Sequence, residues 1–479
     1  MQTSTPGELT PAAVRSAVDY WDSWLAFRQT FDRLPGVQAA VWHGDELVLS
    51  TAHGTADIGS GAELTASHLF RVASHSKTFT ATAVFRLLEA GRLRLDDRVD
   101  AWLGWMVGQP LGDRTLRELL AHGGGVVRDG LDRDFWQLAR TFPDQAALQA
   151  AATERADVLP ANQEFKYSNI GYALLGQVIE AVSGSSYGDF VQGEVLDRLG
   201  LRNTGPELDP AREHDYAVGY SSLAYADARI PIDHVNTRAM AAAAGFYSTA
   251  EDMCRYASAH FLGDERLLTD RSKRLMQRSE WNVEGADSHY GLGFAIQEVG
   301  GRRLVGHGGG YPGHITNTLF DPVGRFAVSV LTNAIDGPAE QLVTAGVALV
   351  NLAAQSPQAP VPAVDQAGMD RLCGRYANLW GVLDIVRLGG ALYAIDPSAS
   401  DPTEEPLKLD VTGPTTVRVG HEHGYGSAGE TMEFDLTDDG QVRSIGGSGG
   451  TSWPFDVFST AVAARDRVEV GASIRPVTG

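Results

Sequence analysis

Lysine is almost missing from this chain. Of its 39 basic residues only Lys77, Lys166, Lys273 and Lys408 are lysine; the rest are arginine. Cysteine is scarcer still: Cys254 and Cys373 fall in different expected domains, which argues against a disulfide framework. No apolar run reaches the length of a bilayer span, and the opening MQTSTPGELTPAAVRSAVDYW carries no apolar stretch of secretory-signal length, so a cytoplasmic, soluble protein is expected. Positive charge is also in deficit. With 60 acidic residues the net charge is −21, which disfavours nucleic acid and anionic membranes as partners.

What is present is enough for more than one core. At 479 residues with 43% hydrophobic residues, two unequal domains are expected. Val14, Val18, Trp21, Trp24 and Leu25 recur at helical spacing and predict a helix from about Thr10 to Asp32. GVQAAVWHGDELVLSTAHG reads as a hairpin turning at Gly44 and Asp45. About 200 mostly helical residues follow, then the β-rich runs RRLVGHGG, GHITNTLFDPVG and RFAVSVLTNA, then the helix AEQLVTAGVALVNLAAQ. This order predicts an α+β domain whose first hairpin joins the later strands in one antiparallel sheet flanked by helices. QSPQAPVPAVDQ reads as a linker, and the short alternating runs beyond it, ending in TSWPFDVF, predict a small all-β barrel. The expected division is residues 1–354, a linker at 355–366, and 367–479.

Lys77 stands three residues after Ser74 at the start of an expected helix, on a stripe continued by Ala81, Val84 and Leu88. A lysine at the edge of a core has its pKa lowered by burial and can take a proton from a neighbouring hydroxyl; an arginine stays charged. The same residues also read as a helix cap followed by a surface lysine. Tyr167-Ser168-Asn169 lies on a turn before an apolar helix, where Tyr167 can shuttle a proton and Asn169 can hold a carbonyl or a lysine, or where the triplet simply starts the helix. His307-Gly308-Gly309-Gly310 closes a strand, and its glycines would let a substrate reach backbone N–H donors, unless they are only a turn.

Two competing patterns are rejected. Gly446-Gly447-Ser448-Gly449-Gly450 matches a nucleophile elbow and HGGG occurs at His122 and His307, but an α/β-hydrolase needs a histidine after the serine, and the last one is His423. His421-Glu422-His423 lacks the helical spacing of a zinc motif, so no metal site is read from it.

Taken in order, Ser74-x-x-Lys77, Tyr167-x-Asn169 and His307-x-Gly309 resemble the signature of the penicillin-recognising serine enzymes: class C β-lactamases, D-alanyl-D-alanine carboxypeptidases and related esterases. LLEAGRLRLDDRV, TLRELLAHGGGV, AAAGFYSTAEDM, YGLGFAI, HGGGYPGH and VLTNA extend the likeness, which runs roughly from Leu34 to Ala354. Similar family members carry a C-terminal lipocalin-like barrel. The resemblance implies a β-lactamase/transpeptidase-like catalytic domain in which Ser74 is the nucleophile, Lys77 and Tyr167 manage its proton, and the N–H groups of Ser74 and Gly310 hold the oxyanion. Asn169, His307, Gly309 and Gly310 would bind substrate, and Tyr311 and His314 are placed by position along the same wall. His122 to Asp129 is a second candidate wall. No metal or organic cofactor is implied.

The family's lactamases and carboxypeptidases usually have lysine where His307 stands. A mostly neutral histidine attracts a carboxylate less. The same histidine variant resembles esterases, D-aminopeptidases, amidases and peptide cyclases. The expected function is therefore an acyl hydrolase acting through acyl-Ser74 on an ester or small amide, including one built on a D-amino acid. Acyl transfer or peptide cyclisation is the alternative, ahead of β-lactamase or carboxypeptidase activity and of a non-enzymatic sensor. The expected partner is a small-molecule or short-peptide acyl substrate, with a homodimer left open. The C-terminal module is read as a stability or dimerisation element, or as the source of a loop over the cleft from Ser398–Glu405 or Gly424–Gly429.

Overall fold

The computed structural model describes residues 7–130, 133–286, 288–355, 366–420, 427–447 and 449–468. Two compact units form: Asp32–Val343, and Thr5–Phe31 together with Thr344–Gly479. The first helix, Pro11–Phe31, thus groups with the C-terminal block, and the boundary falls inside the helix Ala339–Gln355 rather than at residue 354. The expected linker, apart from Gln355 and Gln366, lies outside the described residues.

The first unit is built on a nine-stranded antiparallel sheet. From one edge the strands run Ala62–Glu63, Glu46–Asp57, Gly36–His43, Phe326–Thr332, His314–Asp321, Arg302–Tyr311, Ala295–Val299, Ser288–Tyr290 and Trp281–Val283. The expected joining of the first hairpin to the late strands is seen in the register Val37↔Thr332 to His43↔Phe326. Phe326–Thr332 is buried throughout, which is why it reads as a continuous apolar run rather than an alternating one.

Behind the sheet lies the helix Ser76–Glu89. All but three of its 14 residues are buried, so it is enclosed on every side and the expected one-sided stripe is too narrow a description. Its threonines reach acceptors: Thr80 Oγ1 donates to Ala242 O at 2.7 Å and Thr82 Oγ1 to Thr78 O at 2.9 Å. Lys77 correspondingly sits inside the core, at 0% exposure, and not at its edge.

In the second unit eight strands follow one another in chain order and close into a barrel, Gly374–Asn378 pairing with Gly450–Pro454. Tyr376, Ile385, Leu392, Leu409, Val417, Phe434 and Ile445 fill it. The run TSWPFDVF, expected as β, stops at Pro454, and Phe455–Ala463 is a helix. Buried Asp384 accepts from Arg375 Nε at 2.8 Å and from Tyr20 Oη at 3.0 Å, tying the first helix to the barrel; burial pushes its carboxyl up from the ordinary range. The turn at Ser398 is held by Arg28 Nη1, which donates to Ser398 O at 2.6 Å. His421-Glu422-His423, Ser448 and residues 424–426 of the expected loop lie outside the described residues.

Candidate active site

Ser74 occupies a 3-10 turn, Ala73–His75, that leads into the helix Ser76–Glu89. The turn is bought with backbone strain: Ala73 has φ 44°, a left-handed conformation that costs a residue with a Cβ about 1–2 kcal/mol. Ser76 holds it, its Oγ donating to Ala73 O at 2.5 Å and accepting from Phe246 N at 3.1 Å. The result is that Ser74 alone between Arg71 and Phe79 is partly exposed.

Two side chains converge on it. Lys77 Nζ lies 3.2 Å from Ser74 Oγ and donates to Ala243 O at 2.8 Å. Tyr167 Oη donates to Ser74 Oγ at 2.9 Å, and its ring lies 4.8 Å from the Lys77 nitrogen. Burial drives the Lys77 pKa well below the ordinary lysine value; the Asp129 carboxylate works against this and Arg128 with it. Burial raises the Tyr167 phenol, so it keeps its proton, while the Ser74 hydrogen bond and Arg128 moderate the rise. A base able to lose its charge and a phenol held protonated thus share one hydroxyl.

The segment carrying Tyr167 is templated by the loop His122–Gly130. Ser168 caps the helix Asn169–Ser183, its Oγ accepting from Gly171 N at 2.9 Å and donating to Val127 O at 2.7 Å. His122 Nδ1 accepts from Ser168 N at 3.1 Å, and the imidazole packs 4.3 Å from the Tyr167 ring. Asn169 N donates to Arg128 O at 2.8 Å. The HGGG at His122, rejected as a hydrolase motif, therefore does have a role. It bends the chain (His122 φ 58°, Gly125 φ 64°) so that the loop can hold the tyrosine.

His307, Gly309 and Gly310 lie on the strand Arg302–Tyr311. His307 Nε2 is 3.1 Å from Tyr290 Oη and Nδ1 is 2.6 Å from Gly308 O. Burial, reinforced by the Lys77 charge, pushes its pKa down to about 3, so it is uncharged at neutral pH. Gly309 packs directly on the turn that carries Ser74, and Gly310 is exposed. Its neighbours behave differently from expectation. Tyr311 is 0% exposed, its hydroxyl donates to Val235 O at 3.0 Å, and Arg71 stacks 4.5 Å from its ring. His314 is likewise fully buried, 5.4 Å from Phe70 and 5.1 Å from His234. The structure thus places both in the interior and not along a cleft. A two-residue turn reverses the strand after Tyr311 and carries His314 back into the sheet. Tyr290, and His122 and Asp129 of the second candidate wall, instead adjoin the residues around Ser74: His122 packs on Tyr167, Tyr290 on His122 and His307, and Asp129 accepts from Asn169. Among the described residues no group of three or more His, Cys, Asp or Glu could hold a metal.

A family model described as Beta-lactamase matches residues 25–352. A penicillin-binding protein of Bacillus subtilis is 29% identical over 287 residues, covering 57% of this chain and 62% of that protein. A D-aminopeptidase of Cereibacter sphaeroides is 26% identical over 309 residues, covering 63% of this chain and 60% of that protein. The chain thus spans about three fifths of the length of each of these two relatives. The crystal structure of a D-stereospecific amidohydrolase from Streptomyces superposes with a TM-score of 0.58 at 26% identity, covering 70% of this chain and 97% of that one. With that match and the Ser74–Lys77–Tyr167 constellation together, the chain belongs to the β-lactamase family of serine hydrolases.

Proposed function

We propose that this protein is an acyl hydrolase that cleaves esters or small amides of D-amino acids through an acyl-Ser74 intermediate. The observation that carries the reading is the meeting of Lys77 and Tyr167 on one serine hydroxyl. Ser74 Oγ attacks the acyl carbonyl, its proton passes to Lys77 Nζ, and the carbonyl electrons move to the oxyanion. Tyr167 donates to the leaving group as the tetrahedral adduct collapses and is reprotonated from Lys77. Water then attacks the acyl-serine and the transfers run in reverse. Gly310 pairs with Ile315, one step from the Tyr311↔His314 pair that closes a two-residue turn. Alternation along the ladder turns its N–H away from that neighbour, which supports an oxyanion site shared with Ser74 N.

The substrate class rests on charge. An uncharged His307 gives a substrate carboxylate little reason to bind, which favours neutral esters and amides over penicillins and peptidoglycan stems. The D-aminopeptidase and the D-stereospecific amidohydrolase among the similar proteins support the D-amino acid. The test is intact mass of wild type and Ser74→Ala after brief mixing with a D-amino-acid ester, its L-enantiomer and a penicillin. An adduct on wild type only, formed fastest with the D-ester, is expected. Fastest labelling by penicillin would overturn the substrate class, and labelling of Ser74→Ala would overturn the nucleophile.

A further inference from the structure

Asp129 stands against Asn169 with a carboxylate that leaves the amide no choice of orientation. Its Oδ1 accepts from Asn169 Nδ2 at 2.6 Å and from Trp136 Nε1 at 2.9 Å, and Arg128 Nε lies 3.3 Å from Oδ2. An ionised carboxylate has no hydrogen to give, so the atom of Asn169 that faces it is the NH2 nitrogen. Asn169 Oδ1 is thereby turned away from Asp129, and it is buried with no hydrogen-bond donor. A bare acceptor inside a protein is costly and calls for a donor in the working state.

Lys77 has a proton to offer. Its ammonium carries three N–H groups, of which Ser74 Oγ and Ala243 O take two. As the free amine, Lys77 has two N–H groups and a lone pair. Ala243 O accepts one of those hydrogens; were the bare Asn169 Oδ1 to accept the other, the lone pair would be left for the Ser74 hydroxyl. A reversed amide would offer NH2 to the amine and compete for that lone pair.

We propose that Asp129 is a positioning residue for acylation: it fixes the Asn169 amide with Oδ1 as the acceptor for Lys77, and so keeps the Lys77 lone pair on Ser74. The proposal rests on Lys77 acting as the base. The titratable and charged groups around Lys77 are Asp129, Arg128, His75, His122, His307, Tyr167 and Tyr172.

The experiment measures the rate of acyl-Ser74 formation by quenched intact mass against pH, for wild type, Asp129→Asn, Asp129→Glu and Asn169→Leu, with melting temperatures alongside. Asp129→Asn should slow acylation by about 10- to 100-fold. It should also move the acid limb of the profile to lower pH, because the charge and the fixed acceptor that favour the Lys77 ammonium are both lost. Asn169→Leu, which keeps the charge but removes the acceptor, should move the limb the same way, and Asp129→Glu should keep the limb near its wild-type position. A limb that stays in place in both Asp129→Asn and Asn169→Leu, whatever the rate, makes Asp129 a tie for its loop only and overturns the proposal. If Asp129→Asn does not fold, Asn169→Leu decides. Absence of any adduct on the wild-type protein would overturn the acyl-enzyme reading itself, a result distinct from an adduct whose pH profile ignores Asp129.

Discussion

A methyl group on Gly309 would lie 2.2 Å from the carbonyl oxygen of Val72 and 2.5 Å from Thr316 Oγ1. Both neighbours are fixed. Val72 O receives His75 N at 3.1 Å, and His75 Nδ1 lies 3.0 Å from Val72 O and 3.3 Å from Thr316 Oγ1. The strand therefore approaches the Ser74 turn as closely as backbone permits. Gly309→Ala should displace the turn and slow acylation on the order of 100-fold with the fold retained. Gly310→Ala, whose methyl meets only Ile315 Cδ1 at 3.5 Å and which keeps its N–H, should acylate close to wild type. Acylation rates and circular dichroism of the two variants check this, and equal rates would refute the packing argument.

Two of the four lysines are wholly buried, and they should answer the same substitution in opposite ways. Lys77→Met removes the amine at Ser74 and should lower acylation by roughly 100- to 10,000-fold while leaving the melting temperature the same or higher. Lys77→Arg should be no better, since a guanidinium keeps its charge. Lys273 instead donates to Phe261 O at 2.7 Å and to Asp264 O, and pairs with Asp270 at 2.8 Å, far from Ser74 in role. Lys273→Met strips those carbonyls and should destabilise by about 2 kcal/mol or more with activity per folded molecule unchanged. Melting curves and active-site titration separate the two cases.

Acid should loosen the catalytic unit through its buried histidines. Burial lowers His75 from 6.5 to about 4, and His260 and His307 from 6.5 to about 3. Because each folded-state pKa is depressed, the unfolded chain binds the extra protons first. Stability is whole above the unfolded value and falls as pH drops from 6.5 toward 3 to 4, by up to about 1.4 kcal/mol per pH unit for each histidine. His260→Phe, remote from Ser74, should flatten the slope by one such increment. Urea midpoints measured across that interval provide the check, and an unchanged slope would show that His260 is not one of the groups responsible.

Much of the proposed site is legible in the sequence because its residues stand at short spacings. Ser74 and Lys77 lie one turn apart, Tyr167 and Asn169 flank a helix cap, and His307 and Gly309 stand two apart on a strand, so the spacing within each pair follows from local geometry. Tyr311 and His314 were misplaced for the same reason in reverse. Proximity in sequence continues a wall only until a turn intervenes, and Pro312-Gly313 sends His314 back into the core. The helix after Pro454 differs from the expected strand because Phe455, Asp456 and Val457 alternate apolar and polar as a short strand does.

The amino-acid sequence by itself determined the antiparallel α+β architecture and the barrel and pointed to the residue types proposed to do the chemistry, since periodicity and local stereochemistry are properties of neighbouring residues. Only the tertiary structure decided the states of those residues. Lys77 is enclosed on all sides by other segments, Tyr167 is held by a loop some 40 residues earlier in the chain, and Asn169 is oriented by Asp129 across 40 positions. Protonation and amide orientation depend on what surrounds a group in space, and burial brings those surroundings from distant parts of the chain.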